Sequence, residues 1–207
     1  GSKPYETPRA MTPEDIDRTV ADYRRAAERA KAAGFDAVEI PGANGYLVNQ
    51  FLDSRSNQRT DDYGGSVDNR FRFYARVIEA VLEVFPAGSV GTRISPNGLF
   101  NDMGAPDFRQ TFTHAIERLT EYGLGYLHVM DGLAFGFHEL GGFDLEEVGA
   151  RRLDRLWFRG GFPLSYLAGS HRARTSRRSA DGSSGTVTGD GGAVRSRSIR
   201  APTRRIT

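Results

Sequence analysis

The sequence predicts an α/β fold built on a parallel sheet, and three observations predict it. Apolar residues recur at helical spacing in three long segments. Each segment leads, after a short link, into a brief run of strand character. Each strand then opens into a polar loop that contains glycine. Helices and strands that alternate in this way make a parallel sheet with covering helices, and such folds bind ligands at the carboxyl ends of their strands.

The first helix starts at Thr12-Pro13-Glu14-Asp15. Thr12 suits the cap, Pro13 the first helical position, and the two acids the positive end of the helix dipole. Ile16, Val20, Tyr23, Ala27 and Ala30 form its apolar stripe, and Gly34 stops it. Residues 36–40, DAVEI, read as a strand that ends abruptly at Pro41-Gly42. Asn44, Tyr46, Asn49 and Gln50 follow at once, so hydrogen-bonding side chains gather where a parallel α/β protein places its site.

A polar loop fills 54–66, and its charges, Arg59, Asp61 and Asp62 with Arg70 and Arg72 beyond, read as an ion-paired anchor for the second helix. Ser66 caps that helix; Phe71, Tyr74, Ile78, Val81 and Phe85 line one face, and Pro86 ends it. VGTRI at 90–94 is the next strand, and SPNGLFNDMGAP the next loop. A third helix runs from Asp107 to Tyr122 with Phe108, Phe112, Ala115 and Leu119 inward, and Gly123 stops it. GYLHVM at 125–130 is the third strand, and DGLAFGFHELGG its loop.

Periodicity weakens after Val148. Residues 171–207 are Arg, Ser, Gly and Thr with almost nothing to bury, a composition that predicts disorder. The expected organisation is therefore a folded unit at 1–148, a weakly patterned segment at 149–170 and a tail at 171–207. The tail holds nine Arg and two Asp, +7, so the first 170 residues carry −5 beneath a net charge of +2. The basic tail admits a polyanion-binding reading, but no aromatic residue follows Tyr166, so no stacking platform for specific nucleic-acid binding accompanies the charge.

The chain has no Cys, which excludes a disulfide framework, a zinc–thiolate site and a thiol nucleophile, and fits a cytoplasmic location. No apolar stretch approaches the roughly 18 residues that would cross a bilayer, and the first residues lack the order of a signal peptide. No membrane partner is expected. His114 reads as a solvated helix residue. His128 and His138 lack neighbours at metal-ligand spacing, so no metal site is expected.

Three segments resemble one family. GFDAVEIPGANGYLVNQFLD, NQRTDDYGGSVDNRFRF and VGTRISPNGLFNDMG are similar to the old yellow enzymes, FMN-dependent NAD(P)H oxidoreductases that act as ene-reductases. The resemblance covers residues 3–142, and LHVMDGLAFGFHELG looks like the bacterial members. It implies a TIM barrel with FMN at the carboxyl ends of the strands and NADPH or NADH as reductant. It also implies a small electrophile as substrate: an activated alkene, a nitro compound or a nitrate ester. A whole barrel needs about 250 residues, so the resemblance implies a partial barrel of about three βα units, its fourth to sixth strands.

The family's His-x-x-Asn-x-Tyr stands here as Pro41, Asn44 and Tyr46. The resemblance makes Asn44 one donor of a clamp on the substrate's oxygen and Tyr46 the proton donor to carbon. Pro41 replaces the other donor and has neither a side-chain donor nor a backbone N–H. Arg93 matches the arginine beside the flavin's N1 and C2 oxygen. Phe100, Asn101, Phe135 and Phe137 read either as a substrate-pocket lining or as a hydrophobic cover of the barrel mouth. Three functional readings follow: a reductase impaired by truncation and by Pro41; a non-catalytic barrel fragment, truncated or frameshifted in its tail and unable to hold FMN alone; and a polyanion binder. A homo-oligomer or a complementing chain would supply the missing strands. The strand residues Val38, Ile40, Ile94 and Val129 are expected to face the barrel interior.

Overall fold

The computed structural model describes residues 8–130 and the backbone of residues 157–160. Elements follow the order α1 (Pro13–Ala32), β1 (Val38–Gly42), α2 (Leu47–Leu52), α3 (Val67–Leu82), β2 (Val90–Ile94), α4 (Phe108–Glu121), β3 (Tyr126–Met130) and β4 (Trp157–Gly160). The four strands form one sheet in sequential order, all parallel.

The helix ends follow local chemistry. Thr12 and Asp15 form a reciprocal capping box at α1, which leaves both orphan N–H groups satisfied. Asp15 also pairs with Arg9 and Arg18. The hydrogen bond from Arg9 and that from the Thr12 backbone hold its carboxyl well below the usual range, against the opposing effect of burial. Ser66 accepts from Asn69 N at 3.2 Å and starts α3. Gly34 closes α1 in the left-handed region, φ +82°.

Ile16 and Ala27 of α1, Phe71, Tyr74, Val77, Ile78 and Val81 of α3, and Phe112, Ala115, Ile116 and Leu119 of α4 join one hydrophobic core with the sheet. The strand residues in that core are Ile40, Val90, Ile94, Leu127 and Val129, with Val38 packed at its margin. This corrects the expected direction: Val38, Ile40, Ile94 and Val129 face the helices, and the alternate residues face the barrel interior. Burial explains the choice, because the long helices offer an apolar surface on one side of the sheet only. Thr92 joins the helix side, bonded to the Tyr74 hydroxyl and donating to Ile40 O at 3.2 Å. Gly42 leaves room for that tyrosine: a Cβ there would stand 2.6 Å from the Tyr74 hydroxyl.

Three element boundaries differ from expectation. β1 does not stop at Ile40; Pro41 pairs in register with Arg93, and Gly42 with Ile94. Among the described residues β1 is an edge strand, where a missing N–H breaks no ladder. Residues 47–52 are a short helix rather than loop, with Val48, Phe51 and Leu52 buried one turn apart. Trp157–Gly160 adds a fourth strand beside β3 in a stretch read as weakly patterned. His114 is half-buried, its ring edge-on to Phe71 and Nε2 3.3 Å from Asp68. Phe135, Phe137, His138, the tail 171–207 and the rest of 149–170 lie outside the described residues.

Candidate functional site at the carboxyl ends of the strands

The loop after β1 begins with a tight turn. Tyr46 N donates to Ala43 O at 3.2 Å, and Asn44 and Gly45 both take positive φ, +59° and +69°. Two left-handed central residues are the mark of a type I′ turn, for which Asn-Gly is the favoured pair. Glycine is required at 45 for a second reason: a Cβ would stand 2.5 Å from that of Asn101. The turn thus lies directly against the 3-10 turn Phe100–Asp102 that follows β2.

Buried polar side chains bind these two loops together. Asp53 is 4 % exposed and accepts four backbone N–H groups. Oδ1 takes Arg55 at 2.8 Å and Ser56 at 3.3 Å; Oδ2 takes Gly104 at 2.9 Å and Ala105 at 3.1 Å. Asn49 Oδ1 accepts from Gly45 N at 2.9 Å and from Ser95 Oγ at 3.3 Å, and Ser95 Oγ accepts from Asn44 N at 2.8 Å. Asn57 Nδ2 donates to Phe51 O and Tyr63 O, each at 2.7 Å. The start of α4 joins through Asp107, which accepts from Ser54 at 2.6 Å and from the buried Arg70 at 2.7 Å. Burial works to raise the Asp107 pKa, but those two donors hold it below the usual carboxylate value. The Arg59–Asp61 pair at 2.5 Å and the Arg72 bond to Asp62 O at 2.8 Å anchor the loop before α3, as its charge pattern suggested.

On this scaffold Asn44 Nδ2 donates to Met130 Sδ at 3.2 Å, across to the end of β3. A thioether is a weak acceptor, so this amide stands ready for a better one. Tyr46, at the N-cap of α2, is 55 % exposed, and Phe100 is 52 % exposed. Asn101 turns back on the protein: its Nδ2 donates to Asn44 O at 3.0 Å, a bond between loops rather than a side chain aimed at a pocket. Pro41 is exposed, in register with Arg93.

The interior face of the sheet carries a polar cluster. Arg93 Nη2 lies 2.5 Å from Glu39 Oε1, and its Nε lies 3.2 Å from His128 Nδ1. Tyr126 donates to Glu39 Oε2 at 3.1 Å, and His128 Nδ1 is 3.2 Å from the same oxygen. That ring nitrogen serves one partner at a time: unprotonated it accepts from Arg93, protonated it donates to Glu39. Burial alone would raise the Glu39 pKa, yet the His128, Arg93 and Tyr126 contacts hold it below the ordinary value. Burial, then the Glu39 charge, pushes the Tyr126 phenol up.

The register sets two layers: Glu39, Gly91 and Tyr126 below, and Pro41, Arg93 and His128 above. Arg93 was expected at the site; Glu39, Tyr126 and the role of His128 were missed. Strand parity held the signal, since Glu39, Arg93 and His128 share the face opposite the apolar residues of their strands.

The donor set fits one edge of a flavin. Arg93 is a cation with 32 % of its side chain exposed near the carboxyl end of a central strand. Among the described residues no three His, Asp or Glu gather as a metal site, and no helix is long and apolar enough to cross a membrane.

Known proteins resemble this chain in sequence and in fold. Residues 2–128 match the family model described as NADH:flavin oxidoreductase / NADH oxidase family. A probable flavin mononucleotide-dependent alkene reductase of Leishmania infantum is 46 % identical over 131 residues, which are 63 % of this chain and 36 % of that protein. Among solved structures, an old yellow enzyme homologue from Zymomonas mobilis superposes with a TM-score of 0.71 at 32 % identity, over 79 % of this chain and 46 % of the other. Morphinone reductase gives 0.69 at 37 % identity, over 79 % and 44 %. The chain spans about a third of the length of the curated relatives it matches. The chain therefore belongs to the NADH:flavin oxidoreductase / NADH oxidase family, that of the old yellow enzymes, whose fold is the TIM barrel and whose cofactor is FMN reduced by NAD(P)H.

Proposed function

We propose that this chain provides the substrate-facing strands of an FMN-dependent reductase of small electrophiles, and that Pro41 weakens that activity. The electrophile is an activated alkene, a nitro compound or a nitrate ester. The observation that carries the reading is the juxtaposition of three strand ends: the Asn44–Gly45 turn after β1 is bonded to Ser95 just after β2 and to Met130, the last residue of β3. Arg93 would hold the flavin edge that gains negative charge, and FMN, when bound, supplies the hydride equivalent taken from NAD(P)H. Asn44 would donate to the substrate's oxygen, and Tyr46 would deliver a proton from its phenol. Phe100 would cover the apolar part of the substrate, while Asn101 holds the turn that carries Asn44.

Pro41 stands where the second donor of the clamp belongs. Loss of one such donor costs about 2.7–4 kcal/mol of transition-state stabilisation. Pro41→Ala would leave the donor absent, whereas Pro41→His would restore it. In the flavin-loaded full chain, Pro41→His should raise turnover of an α,β-unsaturated ketone roughly 100- to 1,000-fold. Unchanged turnover would remove the role given to Pro41. Purified chain that takes up no FMN on titration would remove the reductase reading itself.

A further inference from the structure

We infer that Glu39 is a positioning residue for the flavin: from the layer beneath, its carboxylate holds the Arg93 guanidinium and sets how much positive charge reaches the strand ends. This rests on the FMN reading above. The geometry is a layered relay. Glu39 Oε1 holds Arg93 Nη2 at 2.5 Å, while Oε2 faces Tyr126 at 3.1 Å and His128 at 3.2 Å. Arg93 and His128 sit in register one layer above, Arg93 near the carboxyl end of β2 and His128 midway along β3. The span from β1 to β3 depends on Gly91, because a Cβ there would lie 2.1 Å from Tyr126 Cζ. The ring lies across the middle strand and reaches Glu39 on the far side of it.

A guanidinium locked in a carboxylate pair is fixed in direction but partly neutralised. A reduced, anionic flavin gains more from the Arg93 charge than an oxidised one, so the Glu39 carboxylate opposes reduction. Glu39→Gln keeps the shape and an acceptor for Arg93 while removing the charge. Tyr126→Phe does the reverse, removing a donor that disperses the Glu39 charge. The two variants should therefore move the bound flavin in opposite directions, a pattern that general loosening of the fold would not give.

The test is FMN binding by the full chain, oxidised and after anaerobic reduction with dithionite, for wild type and both variants. Glu39→Gln should favour reduced over oxidised FMN about tenfold more than wild type does, a rise of about 30 mV for a two-electron couple. Tyr126→Phe should shift the ratio the other way by a smaller factor. If wild type binds FMN but Glu39→Gln leaves the ratio unchanged, or both variants shift it in one direction, the inference fails and the reductase reading stands. If wild type binds no FMN in either state, both fail together.

Discussion

The two faces of the sheet are drawn from alternate residues of the same strands, and they differ in kind. Toward the helices, Ile40, Val90, Thr92, Ile94, Leu127 and Val129 are all buried, and their one polar member is bonded to a helix tyrosine. Toward the barrel interior stand Glu39, Arg93, Tyr126 and His128, half-exposed and joined by ion pairs and hydrogen bonds. Apolar burial is non-directional and tolerant of small rearrangement, so it suits the side that holds the fold together. Directed polar bonds fix atoms in place at little net gain in stability, which suits the side that presents chemistry.

The sharpest way to break this contrast is to cut the helix face. Ile94→Ala should cost about 2–5 kcal/mol, read as a lower urea midpoint. The ratio of reduced to oxidised FMN affinity should stay as in wild type. A change in that ratio would show that the two faces are not separable.

A second test concerns the loops between them. Asp53→Ala strands four backbone N–H groups and should cost about 2–3 kcal/mol. Hydrogen exchange should quicken at Arg55, Ser56, Gly104 and Ala105 together, because one carboxylate holds both loops. Faster exchange in one loop alone would mean that they are held independently.

The smallest effect lies in acid. The Glu39 pKa is depressed in the fold, so its contribution is present above the ordinary carboxylate pKa of about 4.3 and is lost as pH falls through the lower folded value. For a half-exposed pair this is worth about 1 kcal/mol or less. Glu39→Gln should flatten the acid limb of the stability curve by that amount. An identical limb would show that the pair adds no net stability.

The helices were legible because their signals are local. Thr12, Ser66 and Gly34 cap as their types dictate, and the apolar stripes of α1, α3 and α4 are the ones buried. The Asn44–Gly45 turn was legible as well, since Asn-Gly encodes its own backbone. What escaped was non-local. Proline reads as a strand stop, yet Pro41 continues β1, which among the described residues pairs with β2 alone. The direction of each strand's apolar face follows from where the helices lie, and short strands do not announce it. Asn49 and Gln50 stood out as hydrogen-bonding side chains at a strand end, and Asn101 read either as pocket lining or as cover of the barrel mouth. Their hydrogen bonds instead hold loops, because a buried backbone group demands a partner before any ligand arrives.

Gly91 has a wider consequence. With only hydrogen at its α-carbon, the middle strand is a saddle over which an aromatic ring from one neighbour touches an acid on the other. A single methyl group at that saddle would be felt two strands apart, at Glu39 and at Tyr126. In homologous barrels a larger residue at this point should travel with a smaller one at the position of Tyr126, so that the three staves vary as one piece.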